Sequence, residues 1–158
     1  GNPVMTMHGD LVPVEFYDMR PAHLTLSNLA TGKADLTNLP FQDNSIASIS
    51  CMHSVEHVGL GRYGDSMDTD GDLKAINELK RVLAPSGNLL FVVPVGKPKI
   101  VFNAHRIYSY DQIISYFKDF ALQEFFLIPD QGDPITNAPR ALTDTQTYGC
   151  GCFWFKKS

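Results

Sequence analysis

Apolar and polar positions along this chain change their spacing several times, and those changes mark its elements. "VEFYD" at 14–18 predicts a short strand stopped by the turn-forming "MRP", and "KADL" another short extended segment before the loop "TNLPFQDNS". "SIASISCMH" at 45–53 sets Ile46, Ser48 and Ser50 against Ala47, Ile49 and Cys51, which predicts a largely buried strand. Residues 72–83 place Leu73, Ile76, Leu79 or Lys80, and Leu83 on one helical stripe, with Lys74 and Glu78 spaced for a surface ion pair. "APSG" stops that helix, and "NLLFVVPV" at 88–95 is the most continuous apolar run, a buried strand. Ser109 and Gln112 have capping-box spacing and open a helix whose Ile113, Ile114, Phe117 and Phe120 face the core. "LQEFFLI" (122–128) and "GCGCFWFKK" (149–157) predict two closing strands, separated by a polar, proline-bearing loop over 129–147.

Strands alternating with helices, then two late strands joined by a loop, predict a single α/β domain. Its sheet is Rossmann-like and mostly parallel, with an antiparallel C-terminal strand pair. At 158 residues, 44% hydrophobic and 19% charged, the chain is long and apolar enough for one packed core. A net charge of −4 and no Lys/Arg cluster argue against nucleic acid as a partner. No apolar run approaches a membrane span and no basic-then-apolar leader opens the chain, so the expectation is no membrane partner and a cytoplasmic setting. Three cysteines make no disulfide framework; Cys150 and Cys152 would share one strand face, as ordinary thiols in preference to a metal or redox pair.

Three motifs invite specific chemistry. "GLGRYG" (59–64) has dinucleotide-fingerprint spacing, but it runs into "DSMDTDGD", whose carboxylates oppose a bound phosphate. A flexible hinge, closing over substrate, is the preferred reading of these glycines. Ser66, Asp68, Asp70 and Gly71 match the first half of a calcium loop, yet its twelfth position is Asn77 where a glutamate is needed. "HSVEH" gives His53, Glu56 and His57 the H-x-x-E-H spacing of some zinc peptidases, without a third ligand on a clear helix; no metal ligands are assigned.

The order "ADLTNLPFQDNSIASISCMHSVEHV" followed by "AINELKRVLAPSGNLLFVVPV" resembles class I S-adenosylmethionine-dependent methyltransferases over residues 14–120. "EHVGLGRYGD" and "FNAHRIYS" look like an uncharacterised methyltransferase-like family within that group. The resemblance implies S-adenosylmethionine as cofactor. Asp18 would accept hydrogen bonds from the ribose hydroxyls, Asp35 would lie near the adenine amino group, and Leu36 would pack on the ring. His53 and Ser54 would flank the methionine end. Glu56, His57 and His105 are the implied catalytic groups, histidine being a base near neutrality. Asn103 and Arg106 are the implied contacts to a small-molecule substrate of unknown identity.

The resemblance breaks at the start of the chain. The first strand, glycine-rich turn and first helix of such enzymes need about 25–30 residues. Only 13 precede Val14, and "GNPVMTMHGDLVP" contains no such turn. Cofactor binding is therefore expected to be weak or lost, and a homo-oligomer is one way to complete the sheet. A non-catalytic binding or assembly module is the competing reading, and a zinc hydrolase through His53, Glu56 and His57 is the third.

Overall fold

A computed structural model describes residues 13–21, 27–62 and 64–158. Strands β1 (Val14–Asp18) and β2 (Leu29–Lys33) form a parallel pair. A five-stranded sheet contains β3 (Ile46–Met52), β4 (Leu83–Val95), β7 (Phe120–Ile128), β8 (Ile135–Thr136) and β9 (Gly149–Lys157), in the order β3-β4-β9-β7-β8. A small hairpin joins β5 (Lys99–Val101) to β6 (His105–Ile107). The helices are α1 (Gly71–Val82), α2 (Tyr110–Tyr116) and α3 (Arg140–Asp144). β3 runs parallel to β4, while β9 is antiparallel to both β4 and β7. Three strands thus share one direction, with the C-terminal strand inserted against them. This is the α/β fold expected from the sequence.

The core lies on one face of the large sheet. Leu89, Phe91, Val93 and Val95 of β4 and Phe153 and Phe155 of β9 pack against Ala75, Ile76 and Leu79 of α1 and Ile113 of α2. Phe117 stacks on Phe155 at 4.7 Å. The helix at 72–83 shifts by one residue, and its buried stripe runs through Asp72, Ala75, Ile76, Leu79 and Val82. Lys74 does not pair with Glu78. It bonds Asp68, while Glu78 binds Arg81 and the Leu39 amide. Arg81 also donates to the Phe41 and Leu39 carbonyls and to Asp43, fastening the "LPFQD" loop to α1. Ser109 and Gln112 form the predicted capping box.

β3 departs from expectation. Only Cys51 in it is buried; Ser48, Ser50 and Met52 are exposed. Among the described residues β3 pairs with β4 alone, so its other edge lacks a ladder. Outward-facing Met52, Leu90, Trp154 and Ile128 are likewise exposed, which leaves an apolar sheet face open. "KADL" is not a strand; β2 ends one residue before Ala34, and Asp35 opens a turn. The 129–147 loop contains β8 and α3, short elements whose polar composition hides them. "APSG" does not separate helix from strand: α1 already ends at Val82 and residues 84–87 lie within β4, where pairing jumps from Ile46–Leu83 to Ser48–Asn88 and Ser86 takes a φ of +60°.

Candidate functional site

The C-terminal ends of β1 and β2, a parallel pair, and of β3, parallel to β4, are each at or within two residues of a position the sequence marks as a cofactor contact, and such strand ends are where open α/β sheets bind ligands. Asp18 closes β1, exposed, with Oδ1 accepting from the Arg20 amide at 2.7 Å. Asp35 follows β2 and is also exposed; its Oδ1 accepts from the Thr37 amide (2.8 Å) and hydroxyl (2.7 Å). Leu36 packs half-buried against the core. Ser54 follows β3, and its hydroxyl donates to the Met52 carbonyl at 3.1 Å.

His53 bends sharply out of β3 with a φ of +48°, a left-handed conformation uncommon outside glycine but more often adopted by Asn, Asp and His than by other residues. The bend carries its imidazole over β4 to the C-terminal strand. Nδ1 lies 3.0 Å from Glu56 Oε1, and Nε2 lies 3.4 Å from Cys150 Sγ. Glu56 sits in a single 3₁₀ turn, Val55–His57, and is fully buried. His57 Nε2 approaches the same Oε1 at 3.6 Å, while its Nδ1 donates to the Ala104 carbonyl at 2.5 Å. Glu56 Oε2 is buried without a hydrogen-bond partner. A buried carboxylate is costly unless a cation faces it, so the Glu56 bond holds His53 above the usual imidazole range.

H-x-x-E-H therefore does not form a zinc-peptidase site: both imidazoles converge on the carboxylate from a turn, not from one face of a helix. No group of three or more His, Cys, Asp or Glu side chains among the described residues is arranged for a metal. The calcium-loop reading also fails. α1 begins at Gly71 and includes Asn77, and Asp68 is engaged by Lys74 and the Asp70 amide.

"GLGRYG" is neither phosphate cradle nor free hinge at its start. The Gly59 amide donates to Asp65, and a Cβ at Gly59 would lie 2.1 Å from the Asp68 carbonyl oxygen. Arg106 locks this loop. It is buried and donates to the carbonyls of Val58 (2.6 Å), Asp68 (3.4 Å) and Thr69 (3.2 Å), beside Asp72 at 3.5 Å. Tyr108 completes the group by donating to Asp72 at 2.9 Å. The guanidinium is turned inward and is taken up by the protein's own loop.

Asn103, with φ +53°, forms the exposed tip of the β5–β6 hairpin. His105 rests edge-on against Tyr148 at 4.8 Å and near His57 at 6.5 Å. Burial, then the neighbouring His57, holds His105 below the usual imidazole range. The sequence brings Glu56, His57 and His105 to notice separately, and the fold gathers them. It does not reveal that Cys150 and Tyr148 complete the group, since Cys150 meets His53 across 97 positions.

Solved methyltransferases share this architecture. A putative methyltransferase from Bacillus halodurans C-125 superposes with a TM-score of 0.58 at 13% identity, over 84% of this chain and 73% of that one. The N-methyltransferase NodS of Bradyrhizobium japonicum WM9, solved with S-adenosyl-L-homocysteine, gives 0.55 at 13% identity, over 84% and 56%. At such identity the likeness shows the fold: Rossmann-like and methyltransferase-like. Among curated proteins, an uncharacterized protein of Methanocaldococcus jannaschii, MJ0638, is 31% identical over 99 residues. That stretch takes in 60% of this chain and 37% of the relative, so the chain spans little more than a third of that protein's length. Residues 32–140, well over half of the chain and inclusive of β3, the His53–His57 turn and α1, match the family described as "Caenorhabditis protein of unknown function, DUF268", and the chain belongs to that family.

Proposed function

We propose that this protein is an S-adenosylmethionine-dependent methyltransferase whose cofactor lies across the C-terminal ends of β1, β2 and β3. The observation that carries this reading is the position of Asp18, Asp35 with Leu36, and Ser54 at three successive strand ends of a methyltransferase-like fold. The adenosine half of the cofactor fits these residues. Each aspartate has one oxygen held by its own turn and keeps acceptor capacity for ribose hydroxyls or an adenine amino group. Leu36 offers an apolar surface to the ring. His53 fits less well, because both its ring nitrogens face Glu56 and Cys150, leaving Ser54 to meet the methionine end.

The cofactor supplies an electrophilic methyl group; the rest of the work is alignment and removal of a proton. His105, neutral near pH 7 through burial and its histidine neighbour, accepts that proton. His57 stands beside it, oriented by Ala104 and Glu56. Glu56 is a positioning residue. Asn103 at the hairpin tip is the substrate contact; Arg106 holds the loop behind it.

Calorimetric titration of Asp18→Asn with S-adenosylhomocysteine tests the reading. Loss of a charge-assisted acceptor, worth about 1.5–3 kcal/mol, weakens binding tenfold or more; an unchanged affinity removes Asp18 from the site. Among the described residues, the β3 edge without a ladder and the exposed sheet face favour a second reading, an assembly module. It predicts no binding of the nucleoside at all.

A further inference from the structure

Cys150 and Cys152 lie on the sheet face opposite the packed core, alternating with buried Phe153 and Phe155 along β9. Both are half-buried and unpaired by any disulfide. Their sulfurs are 3.8 Å apart, and Cys150 Sγ contacts His53 Nε2, whose other nitrogen is fixed by the fully buried Glu56. The Cys152 thiol, the Cys150 thiol, an imidazole base and its orienting carboxylate thus stand in one contact series. Glu56 Oε2 is buried without a hydrogen-bond partner, and of the two imidazoles near the other oxygen, Oε1, His53 is the nearer.

We propose that Cys152 and Cys150 form a thiol–disulfide exchange site served by His53, acting on low-molecular-weight disulfides. The bond with Cys150 and the charge of His53 hold the Cys152 thiol down at about 7, while Cys150 is pushed up. His57 shares the Glu56 oxygen with His53, and the His57–His105–Tyr148 ring series runs on from it.

The Cys152 thiolate attacks one sulfur of RSSR, forming a mixed disulfide and expelling RS⁻, which takes the proton on His53. His53 then removes the Cys150 proton. The new thiolate attacks the Cys152 sulfur, closes the Cys150–Cys152 bond and expels a second RS⁻, which takes that proton back. Two protein thiols lose two electrons and RSSR gains them as two RSH. Residues two apart on a strand have Cα atoms about 6.6 Å apart, within the span a disulfide bridges.

The test is reaction of the reduced full chain with dithiobis(nitrobenzoate), followed by intact mass and peptide mapping. The wild type releases two equivalents of thionitrobenzoate per chain and ends about 2 Da lighter, with Cys150 joined to Cys152. Cys150→Ser releases one equivalent and keeps a stable adduct on Cys152. His53→Gln slows the wild-type rate near pH 7 about tenfold or more. Cys51, buried and pushed up to about 12, stays unmodified. Stable adducts on the wild type without the internal bridge overturn the proposal, and so does a His53→Gln rate equal to wild type. The wild-type mass decides the matter even where a variant does not fold.

Discussion

Arg106→Met separates a structural arginine from a substrate-binding one. The side chain is buried, as is its partner Asp72. Its three carbonyl bonds tie Val58, Asp68 and Thr69 together, and its Nε faces Asp72 at 3.5 Å. Methionine keeps much of the volume but leaves Asp72, among the described residues, with the Tyr108 hydroxyl and the first turn of α1 for support. Removing one member of a buried pair costs about 3–5 kcal/mol. Three charge-assisted bonds at about 1.5–3 kcal/mol each would exceed that if they added, which bonds sharing one group do not. The expected loss is therefore about 3–5 kcal/mol, read from urea unfolding with the slope held equal. Adding Asp72→Asn should restore 1 kcal/mol or more, because the stranded charge is gone. A loss under about 1 kcal/mol with weakened ligand binding would refute the loop-clamp account and return Arg106 to the substrate.

Two further outcomes follow from the same geometry. Gly59→Ala combines a φ of +76° with a Cβ 2.1 Å from backbone oxygen, so it should cost more than the roughly 1–2 kcal/mol of the left-handed conformation alone. Gly64→Ala, at φ +82° in open space, should cost only that amount; equal melting temperatures for the two would contradict the packing. His53, raised above the usual 6.5 by Glu56, contributes stability that is fully present below about pH 6.5 and lost as pH rises through its folded value. Cys152, held down at about 7, opposes this trend between 7 and 9, so the comparison belongs in Cys152→Ser. Its urea midpoint should fall from pH 6.5 to 8.5, and adding His53→Gln should flatten that fall.

Local pattern announces what local forces decide. β1 and β9 begin and end where their alternation and flanking turns put them. The capping box at Ser109 is a contact over three residues and was equally legible. What could not be read depends on distant partners. β3 has the composition of a covered strand, but its burial depends on what lies beside and above it, and neither is written in "SIASISCMH". Lys74 chose Asp68 in the preceding loop over the helical neighbour its spacing offers. The β5–β6 hairpin escapes notice because three-residue strands carry no period. "HSVEH" and "GCGC" each stood out, yet only the insertion of β9 beside β4 brings Cys150 to His53.

The central claim is that the ends of β1, β2 and β3 hold the nucleoside of a methyl donor. Its most direct test is calorimetric titration of the wild-type chain with S-adenosylhomocysteine. The account predicts one saturable site tighter than about 1 mM, an affinity of at least roughly 4 kcal/mol. Absence of saturation at millimolar ligand would contradict it.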